Sequence, residues 1–234
     1  MADGLEALQI LWMLLGEGYM TSFQATDITV SLVDTNNQIS RDIERAISEE
    51  INKRVKKNSS NVEKRLKRAV DTWIRTSPEI LSIQAEGVAD SLNAQFGFPL
   101  GFGGSAAEAV VRSVVDSIGI EIQDFSVGLR GKINFYVQPE NLVNLLTLPE
   151  SSIDIVNGSL PWLDWLLRQG GRTIIVGYQY QPGNDGRSGG GTMVGGGFWR
   201  VPPQFSGVED NNFITRALSG REPELNKIIQ GLLE

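Results

Sequence analysis

Residues 105–137 read SAAEAVVRSVVDSIGIEIQDFSVGLRGKINFYV, and the hydrophobic period changes inside them. Up to Val115 the apolar residues keep helical spacing, and Ser105 with Glu108 forms the S-x-x-E pattern of a capping box that opens the helix. From Ile118 the apolar positions alternate, through Ile120 and Ile122. After a turn near Gly128 and Gly131 they alternate again at Ile133, Phe135 and Val137. The stretch predicts a helix terminated by Gly119 that runs directly into an antiparallel hairpin. Helices collected ahead of strands, with no regular β-α-β alternation and no internal repeat, define an α+β fold.

Working toward the N-terminus, Ile39, Ile43, Ile47, Ile51 and Val55 recur every four residues, and Val62, Leu66, Ala69, Val70 and Trp73 continue the stripe. Asn58-Ser59-Ser60 predicts a break between two amphipathic helices, with Ser60 and Glu63 as the capping box of the second. Ser77-Pro78-Glu79 starts a third helix, expected to run through Leu92 to Gly97, and FGFPLGFGG after it reads as a loop. Toward the C-terminus come short helices at 139–146 and 161–167, a strand in RTIIVGYQYQ, a glycine-rich loop and a strand around 198–201. Helices near 212–218 and 222–233 close the chain. The expected architecture is N-terminal helices packed on a small, mainly antiparallel sheet, with a C-terminal helix. Its organisation is an apolar arm at 1–20 and one α+β domain at 21–234, mostly helical to about residue 118.

Among the 234 residues there is no His and no Cys. That removes the Ser-His-Asp triad, the cysteine proteases, disulfides and the usual zinc ligands, so a non-enzymatic protein without metal or cofactor is the expectation. Asp154, Asp164 and Asp185 appear singly, without a spacing that demands acid-base work. A carboxylate-dependent hydrolase acting on a sugar or peptidoglycan is the alternative, with Asp185 or Asp164 as its candidates.

The net charge of −7 argues against general nucleic-acid binding, yet the charge is uneven: residues 41–75 hold 11 basic and 6 acidic side chains, the remainder 10 and 22. Glu44, Glu49, Glu50 and Glu63 are interleaved with the Lys and Arg residues at i,i+4 distances, so these helices read as solvated or subunit-facing surfaces. Residues 5–15, LEALQILWMLL, have about half the length needed to cross a bilayer. They follow Asp3 and contain Glu6, unlike a secretory signal. The segment reads as a retained arm that contacts other subunits through Leu8, Leu11, Trp12 and Leu15, with no membrane partner.

Eight of the 15 residues at 183–197 are glycine. No Lys-Ser/Thr follows them as a P-loop requires, and Val194 stands where the third glycine of a dinucleotide loop belongs. Gly186-Arg187-Ser188-Gly189-Gly190 matches G-x-S-x-G, but a serine nucleophile has no histidine base here. The segment reads as a mobile hairpin loop that orders against a partner, with Arg187 and Met193 as contact residues. Trp162 and Trp165 are expected to cover one end of the sheet. Trp199, between Gly197 and Pro202-Pro203, is placed at an edge and so is a candidate contact. A third reading makes Trp199 and the basic helices a platform for single-stranded nucleic acid.

The end of the chain, Val201-Pro-Pro-Gln-Phe205 followed by Asn212-Phe213-Ile214-Thr215-Arg216-Ala217-Leu218 and a helix through Leu225, Ile228, Ile229 and Leu232, resembles the end of tailed-phage tail-completion proteins. In that family a Pro-rich edge leads to a Phe-x-Arg-Pro-Ala-Leu-like signature and a terminal helix. Here Thr215 and Arg216 occupy the places of its Arg and Pro, and the Thr-Gly-Arg-Leu signature after the first helices is absent. The resemblance implies a virion protein assembled in the host cytoplasm, forming a homo-oligomeric ring, a hexamer, in the neck or at the tail terminus. Its implied partners are the tail tube protein and neck or connector proteins, with DNA only as passing cargo. It further implies that Phe213 and Arg216 fix the terminal helix against a neighbour, Arg216 pairing with a carboxylate across the boundary.

Overall fold

Asn58, Ser59 and Ser60 do not break the first helix. In the computed structural model, which describes residues 24–25, 28–29, 35–137, 142–155 and 158–233, Asn36–Arg75 is one continuous helix (α1). The helix-breaking side chains find partners: Asn58 Nδ2 donates outside the helix to the carbonyl of Leu232 at 3.3 Å, and Ser59 Oγ donates back to the Lys56 carbonyl one turn earlier at 3.1 Å. On either side Val55 and Val62 are wholly buried. Burial of this stripe outweighs a propensity cost of a few tenths of a kcal/mol per residue. The apolar arm, with Leu8, Leu11, Trp12 and Leu15, lies outside the described residues.

Contacts divide the chain into two units, Met1–Glu44 and Arg45–Glu234, with the boundary inside α1. The described part of the first holds a short antiparallel ladder, Gln24–Ala25 (β1) with Ile28–Thr29 (β2), and the opening turns of α1. There Thr35 donates from its amide and hydroxyl to Gln38 Oε1.

In the second unit α1 is followed by Pro78–Gln84 (α2), Leu92–Phe96 (α3), Phe102–Asp116 (α4), Ile118–Ser126 (β3) and Arg130–Val137 (β4). Val143–Leu146 (α5), Ile153–Ile155 (β5), Gly158–Leu160 (β6), Trp162–Leu167 (α6), Thr173–Pro182 (β7), Gly191–Arg200 (β8), Phe213–Leu218 (α7) and Glu222–Gln230 (α8) complete it. The fold is α+β. The described strands pair as separate antiparallel ribbons, β3 with β4, β5 with β6 and β7 with β8, instead of joining one sheet.

Two expected helix boundaries move for identifiable reasons. The third helix is split, because Ser82 Oγ accepts from the amide of Leu92 at 2.8 Å and Ser91 caps a new helix by accepting from Ala94. The capping box at Ser105 and Glu108 does not form: α4 begins at Phe102, Ser105 Oγ donates to Phe102 O, and Glu108 is drawn off to Arg75. Gly103 sits in that first turn because Asn93 Nδ2 and the Ile83 carbonyl fill the space a β-carbon would need. Gly119 does not stop the helix, which ends at Asp116; it lies in β3 opposite Tyr136, whose ring leaves no room for a side chain.

Two apolar clusters hold the unit. The larger joins α1, α2, α4, α6 and α7 through wholly buried Ile74, Ile80, Val110, Trp162, Leu166 and Phe213. Its centre is aromatic, with Phe96 stacked on Phe98 at 5.8 Å and Phe98 edge-on to Trp162 at 5.3 Å. The FGFPLGFGG stretch is a loop only at 97–101, because Phe96 ends α3 and Phe102, Gly103 and Gly104 open α4, and Phe98 within the loop is a core residue. The smaller cluster, Val55, Val62 and Leu232 with Ile120, Ile122, Ile133 and Phe135, lays the β3–β4 ribbon against the middle of α1. Where that ribbon slips register between Gln123 and Ser126, the orphaned backbone of Phe125 pairs with Asn52, whose Oδ1 accepts at 2.7 Å and whose Nδ2 donates at 2.9 Å.

Candidate functional site

The strongest local pattern, the glycine-rich segment 183–197, is divided between a connection and the first part of a strand. Residues Gly191–Arg200 pair with Thr173–Pro182, leaving 183–190 as the connection. That connection is folded against the segment before α4, contrary to the expectation of a mobile loop. Gly87 N donates to Ser188 O at 3.2 Å, and the Ser188 side chain, 1% exposed, points at Ala94 O. Gly190 has no space for a β-carbon, which would meet Ala94 and the carbonyl of Val88. The Tyr180 hydroxyl accepts from the amide of Asp90 at 3.1 Å and donates to Gly190 O at 2.8 Å, and its burial raises the phenol's pKa. Glycine is used here for close approach, the reason a motif search for a phosphate loop or nucleophile elbow finds only fragments.

Beside this loop an open cleft of about 420 Å³ is lined by Asp90, Gln95, Gln179, Phe198 and Arg200. Its floor is Trp199, 6% exposed, which donates from Nε1 to Gln95 Oε1 at 3.2 Å and meets Phe96 edge-on at 5.4 Å. Trp199 stands on a ribbon edge, as expected, but its side chain is buried inward instead of presented as a contact. An indole so little exposed offers a base little surface to stack on.

The other proposed contact residues are also engaged within the chain. Arg187 spends Nε on Gly97 O at 2.7 Å and Nη1 on Asp154 O at 3.2 Å. Met193, half-buried, packs on the larger cluster, as does Trp165, while Trp162 is enclosed. Phe213 is wholly buried. Arg216 pairs internally: Nη2 lies 2.7 Å from Oε1 of Glu79, a carboxylate in the first turn of α2 that is 3% exposed. The segment Asn212–Leu218 is thus an internal clamp. Asn212 caps α7 by accepting from Ile214 and Thr215, and Thr215 Oγ1 accepts from Asn212 N at 2.9 Å to close the box. Phe213 and Ile214 enter the core, and Arg216 ties the turn to α2. Thr215, where the resembling family has Arg, has its own local role.

The two hydrolase candidates, Asp164 and Asp185, share no hydrogen-bond or salt-bridge partner among the described residues. Asp164 is bound to Arg168 at 2.6 Å and accepts from Gln169, whereas Asp185 is exposed at the β7–β8 connection. Among the described residues no group of His, Cys, Asp and Glu is arranged to hold a metal ion, and no described helix is long and apolar enough to cross a membrane.

What the subunit does expose are ribbon surfaces. Among the described residues β7 and β8 pair only with each other, and the directly opposed Val176 and Phe198 are 79% and 56% exposed. Tyr178 on the same strand is also exposed, past a register shift between Val176 and Tyr178 that interrupts the alternation, whereas Ile175 is opposed to Trp199. No family model, curated protein or solved structure matches the chain.

Proposed function

We propose that the protein is a non-enzymatic structural component of a tailed-phage virion, working as a homo-oligomeric ring in the neck or at the tail terminus. The observation that carries the reading is the β7–β8 ribbon: two ten-residue strands with unpaired outer edges and an exposed Val176–Phe198 pair. Unpaired edges of this length are templates for strand addition, and natural proteins leave them open where a neighbour completes them. The resemblance of 201–232 to the tail-completion ending supports the same reading, although Phe213 and Arg216 serve the subunit's own core instead of the boundary. The overall negative charge suits a passage through which DNA moves without being held.

Native mass measurement tests the proposal. A closed ring gives one fixed stoichiometry across a concentration series, and a chain that stays monomeric at all concentrations refutes the ring. In infected cells, loss of the protein should leave DNA-filled heads and tails unjoined or tails of irregular length; normal particles without it would place it outside the virion.

A further inference from the structure

The solvent face of α1 carries a stripe of cations that form no salt bridge or side-chain hydrogen bond among the described residues. At 100° per residue, Lys53, Lys57, Lys64 and Arg68 fall within a sector of about 60°, and the stripe runs about 22 Å along the axis. All four are exposed, and none forms a salt bridge or side-chain hydrogen bond among the described residues. The apolar residues Val55, Val62 and Leu66 occupy the opposite side of the helix. Neighbouring carboxylates are already committed: Glu50 to Arg54, Glu63 to Lys67 and Asp71 to Arg75. Glu50 and Asp71 lie in the same sector, at the two ends of the stripe, and the pKa of the Glu50 carboxyl is lowered first by the hydrogen bond from Arg54 and also by the charges of Lys53 and Lys57; between these ends the row is cationic.

A complementary surface lies on the same chain. Glu86, Asp90, Asp154 and Asp185 are all exposed. They are gathered by the bonds that pin the glycine-rich connection: Gly87 to Ser188, Asp90 to Tyr180 and Arg187 to Asp154. The nearby guanidinium groups are Arg187, turned onto two carbonyls, and Arg200 across the cleft. The carboxylates of Asp154 and Asp185 make no hydrogen bond or salt bridge of their own among the described residues.

We propose that these two surfaces meet between copies of this chain: the Lys53–Lys57–Lys64–Arg68 stripe of one subunit docks against the Asp154–Asp185 surface of the next. Different patches on the two partners make the contact heterologous, the kind that closes into a ring when its rotation permits. The inference rests on the ring reading and names the surfaces that would build it. A second copy is favoured over nucleic acid because the chain outside 41–75 holds 22 acidic against 10 basic residues, so another copy offers the stripe an anionic surface while the net charge of −7 repels polyanionic DNA.

A charge-swap experiment decides it, using the full chain. Lys57→Glu/Lys64→Glu and Asp154→Lys/Asp185→Lys alter exposed side chains that form no salt bridge or side-chain hydrogen bond among the described residues, so both variants should stay close to the wild-type melting temperature. Each alone should need at least about tenfold more protein to assemble, and raised salt should weaken wild-type assembly in the same direction. Mixed in equal amounts the two variants should assemble again as alternating particles, since each reversed stripe then meets a reversed acidic surface. Wild-type rings with both variants assembling normally would overturn this inference and leave the ring reading standing. A wild-type chain that never assembles would overturn both. Duplex DNA retained by the wild type and lost by Lys57→Glu/Lys64→Glu, with assembly unchanged, would assign the stripe to nucleic acid instead.

Discussion

Arg216 reaches across 137 residues of sequence to place Nη2 at 2.7 Å from Oε1 of Glu79, whose side chain is almost completely buried. The same guanidinium donates from Nη1 to the carbonyls of Ser206 and Asn211, so one side chain holds α7, the turn before it and α2 together. Arg216→Glu should therefore destabilise the fold, where a surface arginine would tolerate the change. Removing one partner of a buried pair costs about 3–5 kcal/mol, and the partial exposure of Arg216 puts this case near the lower end. Denaturant unfolding measures it. The double variant Glu79→Leu/Arg216→Met should recover most of the loss, and equal instability of the double variant would show that packing rather than charge is at stake.

Asn52 stands in for a missing strand at the β3 irregularity. Asn52→Ala should cost about 1–3 kcal/mol, because it leaves both the N–H and the C=O of Phe125 without their partner. Amide exchange at Phe125 should accelerate while that at Ile120 and Ile122 stays protected. Uniform acceleration through β3 would mean that the whole ribbon depends on this contact.

Gly190 is packed where no side chain fits, so Gly190→Ala should separate the β7–β8 connection from Val88 and Ala94. In the wild type, limited proteolysis should spare residues 183–190 even in the unassembled chain. The variant should be cut there first. Rapid cleavage of the wild type would restore the picture of a loop ordered only by a partner.

Acid should loosen the junction of α1 with α4. The hydrogen bond from Arg75, outweighing the effect of burial, holds the Glu108 carboxyl below the ordinary carboxylate range, and Asp71 and Glu108 together raise the Arg75 pKa. A carboxylate whose pKa is depressed by folding contributes stability in full above its unfolded value of about 4.3 and loses it as pH falls through the folded value. Both side chains are substantially exposed, which limits the contribution to about 1 kcal/mol or less. Stability measured from pH 6 down to pH 3 should fall less steeply in Glu108→Gln than in the wild type.

Local patterns carried the secondary structure of this chain a long way. The switch of period at Ile118, the turn before Gly131, the Pro78 start and the alternation in 173–182 each involve residues within a few positions of one another, so they are legible in one dimension. The same logic failed where a distant group supplied what the local sequence lacked. Leu232 satisfies Asn58 and keeps α1 whole, and Ser82 captures the amide of Leu92 and splits a helix. Neither partner has a signal in the segment it alters.

For the candidate contacts, chain order alone settled which residue types were present and that no histidine or cysteine chemistry was open to them. Tertiary structure decided which of them still face outward. Trp199 is taken up by Gln95 and Phe96, Arg187 by the carbonyls of Gly97 and Asp154, and Arg216 by Glu79, all through pairings of residues 33 or more apart in sequence. Lys57, Lys64, Asp154 and Asp185, unremarkable among the other charges, stay exposed, and their side chains form no salt bridge or hydrogen bond among the described residues. The difference is physical: periodicity records which face of an element is apolar. Whether a polar group is spent inside the subunit depends on which distant backbone or carboxylate the packed core brings within hydrogen-bond reach.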